Sequence, residues 1–282
     1  MQTIHTLAAL RKARAALAGG KLALVPTMGA LHAGHLALVR EARRRADHVA
    51  VSIFVNPRQF GAGEDLEAYP RQLESDCALL EGEGVEIVWA PPASEMYPAG
   101  YATNVAVSGV SEGLCGATRP GHFDGVATVV CKLFNQVEPE IALFGEKDWQ
   151  QLAVIRRMAR DLDLARPGEI VGVATVREAD GLALSSRNAY LSPDNRARAA
   201  ILPRAMRKAI AAIEADAPVP AALAHLAAAL REAGFASVDY AELRDAESFA
   251  VLAERPRAPA RLLVAARIGA TRLIDNMAVA AA

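Results

Sequence analysis

Short apolar runs alternate with helically spaced apolar positions through the first part of the chain. Leu22-Ala23-Leu24-Val25 reads as a buried strand. Leu36, Val39 and Ala42 recur at helical spacing and predict an amphipathic helix that ends near Arg45. Val49 to Val55 reads as a second strand, stopped by Asn56-Pro57. Residues 66–80 read as mostly helical, and 85–89 as a third strand stopped by Pro91-Pro92. A helix over 124–136 precedes a strand over 140–144, and a helix over 148–162 precedes a strand over 169–173. This alternation predicts an α/β fold, a parallel sheet with helices on both faces. Such sheets bind ligands at the carboxyl ends of their strands, near a switch in strand order.

The later part has a different texture. Alanine- and arginine-rich helices are predicted from Pro193 to about Ile213 and from Val219 to Ala233, with two strands around 236–243 and 261–267. The alanine richness reflects helix propensity and carries no functional signal. A domain boundary is expected near 173–176, and no internal repeat stands out. The 282 residues are 52% hydrophobic and 22% charged, which suits a substantial core and argues against disorder. With 31 basic and 32 acidic residues, the net charge of -1 gives no bulk attraction to nucleic acid or an anionic membrane. Cys77, Cys115 and Cys131 are widely spaced without a CxxC, which points to neither a disulfide framework nor a zinc site. The first residues lack the apolar core of a signal peptide, and no apolar run is long enough to span a bilayer. A cytoplasmic protein is expected.

Four stretches carry candidate chemistry. The first is "PTMGALHAGH", Pro26 to His35. It follows a strand and leads into a helix, where unpaired N–H groups favour an anion. His32 and His35 share a face if that turn is helical, and Gly29 and Gly34 allow close backbone approach. A metal would need a third ligand that the spacing does not supply, and a purely capping or packing role for the histidines stays open. Neither a Walker loop nor GxGxxG is present. The second stretch, "LFGEKDWQQ", places Lys147 at the end of a strand, where its ammonium can neutralise phosphate, with Gln151 one turn on. It also reads as a solvated helix start capped by Asp148. The third, "LALSSRN", combines Ser185, Ser186 and Arg187 in what is either a phosphate clamp or an ordinary loop, with Val176 nearby. The fourth, "NPRQF", puts Gln59 directly after the second strand.

Together these stretches resemble the pantothenate synthetase family, the pantoate–β-alanine ligases. His32-Ala33-Gly34-His35 resembles the HIGH signature of the nucleotidyltransferase superfamily. "FVNPRQF", "YPR", "RPGHFDGVATVV", "FGEKDWQQL" and "LALSSRN" follow in the family's order, and the similarity runs from about Ile4 to "TRLIDN". The resemblance implies a Rossmann-like N-terminal domain (1–174), a smaller α+β lid domain (175–282) and a homodimer. It implies ATP-dependent condensation of pantoate with β-alanine through a pantoyl adenylate, in pantothenate (vitamin B5) and coenzyme A biosynthesis. By matching motifs, Met28, Gly29, Ala30, Leu31, His32, Ala33, Gly34 and His35 would hold ATP. His35 would be the proton donor, with His32 assisting at the phosphates. Gly145, Glu146, Lys147 and Asp148 would line the nucleotide site, with Lys147 on the phosphates, and Val176 would meet adenine through its backbone. Leu184, Ser185, Ser186 and Arg187 would close over the phosphates, as the KMSKS loop does in related enzymes. Gln59 and Gln151 would hold pantoate. Mg²⁺ would accompany ATP, with Asp76 a weaker candidate for a contact to it.

One departure is visible. Arg58 stands where the family commonly carries methionine. The cation either reshapes the pantoate pocket or turns to solvent, and we expect the second. Two other function classes compete with the ligase. A nucleotidyltransferase acting on a phosphorylated molecule would share HxGH, but the neutral amides of Gln59 and Gln151 do not offset phosphate charge. A nucleotide-binding module without catalysis would not need the substrate residues.

Overall fold

The structure, a computed structural model, describes residues 1–17, 19–61, 63–64 and 66–282. The chain divides into two compact units. Met1–Glu146 with Gln150–Ala174 forms the first, and Lys147–Trp149 with Thr175–Ala282 forms the second.

The first unit is built on a six-stranded sheet. Its strands are β1 (Gln2–Ile4), β2 (Leu22–Thr27), β3 (His48–Ile53), β4 (Ile87–Trp89), β5 (Ile141–Gly145) and β6 (Glu169–Val173). They lie in the order β1-β4-β3-β2-β5-β6, and every pairing is parallel. The helices of this part are α1 (Leu7–Ala16), α2 (Ala33–Arg45), α3 (Leu73–Gly82), α4 (Ala93–Met96), α5 (Leu114–Thr118), α6 (His122–Val137) and α7 (Trp149–Asp161). Residues Leu22 to Val25 of β2 and Val49 to Val51 of β3 are wholly buried, as continuous apolar strands covered on both faces must be. Val25, Leu38, Val39, Val51, Leu80, Val88 and Leu143 share one core. Strand order reverses direction at β2, which has β3 on one side and β5 on the other. The carboxyl ends of β2, β3 and β5 therefore surround the switch point where such sheets take ligands.

The second unit pairs a three-stranded antiparallel sheet with helices. Its elements are α8 (Pro193–Ala199), α9 (Ile201–Glu214), α10 (Val219–Glu232), β7 (Ser237–Asp245), β8 (Ala260–Ile268) and β9 (Thr271–Val279), with sheet order β7-β8-β9. Its core joins Leu202, Met206 and Ile213 of α9, Leu226 and Leu230 of α10, and Leu262 and Val264 of β8. Among the described residues no helix is long and apolar enough to cross a membrane.

The α/β expectation is met, and four local expectations are corrected. The stretch 66–80 is helical only from Leu73. Proline has no N–H and bars its predecessor from helical backbone, so no helix passes through Tyr69-Pro70. Arg71 instead donates to the carbonyls of Leu66, Glu67 and Tyr69 and ties the preceding turn together. The strand expected over 49–55 leaves the ladder at Ile53. The helix expected over 193–213 breaks at Ala200. Pro203 cannot bond to the carbonyl of Ala199 and would clash with it, so the new helix starts two residues earlier, at Ile201. A third strand, β9, joins the expected two. It returns from β8 through a turn in which Gly269 takes φ 56°.

Leu143 lies in the centre of β5 with no exposed surface. Leu143→Ala is expected to lower the unfolding free energy by about 2–5 kcal/mol, read as a lower urea midpoint with an unchanged slope.

Candidate active site

The turn after β2 is fixed by one side chain from α3. Asp76 is fully buried, and its two carboxylate oxygens accept from Ala30 N and Leu31 N, each at 2.9 Å. Gln72 Nε2 adds a third donor at 3.4 Å. The backbone takes positive φ at Gly29 (82°) and Ala30 (52°) to present those amides. Glycine also relieves crowding at 29. A Cβ there would lie 3.0 Å from Asp76 Oδ2 and 3.1 Å from Ile53 Cγ2. Thr27 completes the turn, its hydroxyl donating to Ser52 O at 2.8 Å and accepting from Gly29 N at 3.2 Å.

From this turn the chain enters α2 with a histidine as its N-cap. Gly34 N donates to His32 Nδ1 at 3.1 Å, and His32 N donates to His35 Nδ1 at 3.3 Å. The two imidazoles thus form a reciprocal capping box, with ring centroids 4.1 Å apart and planes inclined by 36°. A backbone N–H can only donate, so both Nδ1 atoms are acceptors. Each neutral ring must then carry its proton on Nε2. The sequence suggested free helix-start amides as the anion site. Two of them, His32 N and Gly34 N, are already satisfied by imidazole, and His35 N bonds back to His32 O at 2.9 Å. The donors this motif directs away from its own backbone are the two Nε2–H groups.

The end of β3 is equally determined. Asn56 is buried and caps the 3-10 turn Pro57–Gln59. Its Nδ2 donates to Gln59 Oε1 and to Gly125 O, both at 3.1 Å, and its Oδ1 accepts from Tyr97 Oη at 2.8 Å. The Gln59 amide is thereby oriented with Nε2 toward Met28 Sδ, 3.0 Å away. The Gln59 carbonyl accepts from His122 Nδ1 at 2.8 Å and from Arg119 Nη2 at 3.3 Å. His122 therefore carries its proton on Nδ1, and its Nε2 accepts from Arg119 Nη1 at 3.0 Å. Helix α6 packs directly on this turn: a Cβ on Gly125 would sit 2.2 Å from Arg58 O. Arg119 is anchored by Glu64 at 2.6 and 2.7 Å, and these bonds hold the Glu64 carboxyl down at about 2. Burial pushes the phenol of Tyr97 well above its usual range.

Arg58 is exposed, as expected, but it does not hang free. Its guanidinium lies 5.4 Å from the Tyr97 ring centroid and 5.5 Å from that of Tyr101, with Nη2 3.3 Å from Asn104 Oδ1.

The stretch after β5 splits its labour. Gln150 is buried and donates to the carbonyls of Val110, Glu112 and Gly113 while accepting from Cys115 N, so it builds the loop before α5. Gln151 is rotated about 100° from it on the helix and half-buried. Lys147 and Asp148 lie in a 3-10 turn, with Nζ 3.7 Å from Asp148 Oδ2. In the second unit, Leu184 N donates to Val176 O at 3.0 Å, and Ser185 caps the 3-10 turn Ser186–Tyr190 by accepting from Arg187 N at 3.2 Å.

The structure thus joins Met28 to Gln59, His32 to His35, and Ala30 and Leu31 to Asp76. Ala33 and Gly34 lie in the first turn of α2, and Gly145 and Glu146 lie with Gln151 in the first unit. Lys147 and Asp148 pack with the second unit, as do Val176, Leu184, Ser185, Ser186 and Arg187. Asp76, the weaker candidate for a Mg²⁺ contact, is buried, and its two oxygens accept from the backbone amides of Ala30 and Leu31. Among the described residues no group of three His, Cys, Asp or Glu could hold a metal. Sequence reasoning gave no role to Asn56, Arg119 or His122. The quoted "RPGHFDG" was the available signal, since an arginine and a histidine three residues apart flank a proline and a glycine just before a helix.

The family model for pantoate-beta-alanine ligase matches residues 2–278. The pantothenate synthetase of Novosphingobium aromaticivorans is 68% identical over 283 residues, 99% of each chain. That of Sphingopyxis alaskensis is 61% identical, covering 99% of this chain and 100% of its own. A crystal structure of pantothenate synthetase from Thermus thermophilus superposes with a TM-score of 0.91 at 50% identity, covering 98% of this chain and 99% of that one. Pantoate-beta-alanine ligase from Francisella tularensis, complexed with beta-gamma ATP and beta-alanine, gives 0.83 at 31% identity over 98% and 97%. The chain belongs to the pantoate–β-alanine ligase family.

Asp76→Ala removes the acceptor of two buried amides, each worth about 1–3 kcal/mol when left unsatisfied. A loss of about 2–5 kcal/mol in urea unfolding, together with weakened nucleotide binding, is expected. The Glu64–Arg119 pair adds a pH dependence. The folded-state carboxyl titrates at about 2, below its ordinary 4.5. The pair's stabilisation is therefore complete above roughly pH 5 and fades as pH falls toward 2. Urea midpoints of wild type and Glu64→Gln should differ by a constant above roughly pH 5 and converge near pH 2.

Proposed function

We propose that this chain condenses (R)-pantoate with β-alanine, using ATP, to give pantothenate, AMP and diphosphate. The observation that supports it best is the imidazole capping box at the carboxyl end of β2. It turns the Nε2 edges of two imidazoles away from the backbone they cap, at the carboxyl end of the central strand, in the loop whose Met28 meets the oriented amide of Gln59.

In the first step the pantoate carboxylate attacks the α-phosphorus of ATP, forming an acyl–phosphate bond and releasing pyrophosphate. In the second the β-alanine amine attacks the acyl carbon, the acyl–oxygen bond to AMP breaks, and the amine loses a proton. No step needs a protein nucleophile, so the protein's contribution is positioning and charge stabilisation. We assign His35 Nε2–H and His32 Nε2–H as hydrogen-bond donors to the charge that develops on the departing pyrophosphate. The turn Met28 to Leu31 and the helix start Ala33-Gly34 carry ATP. Gly145, Glu146 and Asp148 line the nucleotide, Lys147 neutralises phosphate, Val176 meets the base through its backbone, and Leu184, Ser185, Ser186 and Arg187 bind the phosphates. Gln59 and Gln151 hold pantoate by neutral hydrogen bonds. Mg²⁺ is assigned to the triphosphate rather than to a protein cage, because the described carboxylates form none and Mg²⁺ commonly arrives with substrate phosphates. The family resemblance further suggests a homodimer working in the cytoplasm.

Purified protein with MgATP and D-pantoate, with and without β-alanine, tests this reading. AMP and pantothenate should appear in equal amounts only when the amine is present. AMP without an amine requirement, or no AMP with any amine, would sink it. His35→Ala should slow pyrophosphate release by about 100-fold or more. Removal of its capping bond should cost only about 1 kcal/mol of stability, so the variant stays folded while turnover collapses.

A further inference from the structure

The motif "TRLIDN" near the end of the chain closes the family resemblance but has no role in the chemistry above. Its last residue, Asn276 of β9, is 2% exposed. Its Nδ2 donates to the backbone carbonyl of Lys147 at 2.9 Å, across 129 residues of sequence. Its Oδ1 accepts from Arg261 Nη1 at 2.6 Å, and the Arg261 guanidinium lies 3.6 Å from the centroid of the Trp149 ring. The three-residue segment Lys147–Trp149 is thus gripped at both ends, by a hydrogen bond on its first carbonyl and a cation stacked on its last ring.

Asn276 is itself fixed. Its backbone N donates to Asp275 Oδ1 at 2.8 Å. Asp275, 2% exposed, is held by Arg177 through two bonds of 2.7 and 2.9 Å, and Arg177 Nη2 also donates to Asn276 O at 3.3 Å. A lysine side chain has a flexible four-carbon stem, so the fold controls its ammonium chiefly by controlling the backbone that carries it. Lys147 comes just after β5 in sequence, yet it packs with the second unit. The Asn276 bond is a direct side-chain tie between that unit's last strand and this lysine.

We propose that Asn276 is a positioning residue for Lys147, acting through the Lys147 carbonyl to set the ammonium against the ATP phosphates. This rests on the ligase reading for the role of Lys147. Displacing a charged group by a fraction of an ångström costs rate in the step it stabilises and leaves unrelated binding alone. Asn276 therefore matters to adenylate formation and not to the affinity for pantoate.

The test is a double-mutant cycle on pantoate-dependent pyrophosphate release, using wild type, Asn276→Ala, Lys147→Ala and the double variant. Asn276→Ala should reduce kcat of this half-reaction by about tenfold or more, while the KM for pantoate stays within about twofold. In the Lys147→Ala background the same change should cost nothing further, because its effect passes through a side chain no longer there. Asn276→Asp keeps the acceptor for Arg261 but cannot donate to the Lys147 carbonyl, so it should behave like Asn276→Ala. Being isosteric, it carries the cycle if the alanine variant does not fold, with urea midpoints as the check. An unchanged kcat, or an equal loss with and without Lys147, overturns the proposal. The same cycle read as MgATP dissociation constants by calorimetry needs no turnover. A wild-type protein that makes no pantothenate would sink the ligase reading, and the calorimetric cycle would still decide on Asn276.

Discussion

A carboxylate shut away from water must be matched by donors, and Asp76 is matched by two successive backbone amides. That requirement fixes the turn after the central strand. It forces positive φ at Gly29 and Ala30, which a non-glycine residue such as Ala30 adopts only when its surroundings over-determine it. The turn in turn sets where α2 begins and which residue caps it. Loosening the Asp76 bonds would leave the strand and the helix intact as elements but would free the angle between them. The histidines would then lose their common frame.

Backbone donors also decide the protonation pattern of the site. Three imidazoles are constrained by partners that have no choice of role. His32 and His35 accept at Nδ1 from amides, so their protons sit on Nε2. His122 faces the reverse demand, because a carbonyl lies at its Nδ1 and a guanidinium at its Nε2. One ring type thus serves two ends. The first pair is arranged to donate through Nε2, away from the backbone it caps. The third holds the Gln59 carbonyl through Nδ1 and accepts from Arg119 through Nε2.

The sequence carried the outline of this arrangement better than its mechanism. Strand–helix alternation yielded the parallel sheet because buried parallel strands are largely continuous apolar runs, as at Val49 to Val51. HxGH and Gln59 were legible because they follow strands, where such sheets expose their ends. The satisfied state of the helix-start amides was not legible, because histidine is an uncommon cap and its spacing suggests metal or phosphate first. Asn56, Arg119 and His122 were missed because they act on the backbone of another residue, and a carbonyl leaves no trace in sequence. The scaffold role of Asp76 was not legible for a related reason: a carboxylate that binds amides leaves no mark in sequence to distinguish it from any other. The local errors at Tyr69-Pro70 and Pro203 came from following hydrophobic spacing past a proline.

The stretch from Phe144 to Gln151 shows how contiguity misleads. Read along the chain, it is a strand, a charged turn and a helix, and its polar residues read as one group. In the structure Gln150 is committed to the loop before α5, while Lys147 and Trp149 answer to Asn276 and Arg261 at the far end of the sequence. The strongest constraints on the lysine are therefore non-local ones, supplied by β8 and β9. A short turn has too few internal hydrogen bonds to fix a long side chain. A buried amide with both ends satisfied can do so, because breaking either bond leaves a buried polar group unpaired. The second unit thus fixes the backbone from which the lysine reaches out, and β9, a strand the hydrophobic pattern did not announce, is where that control originates.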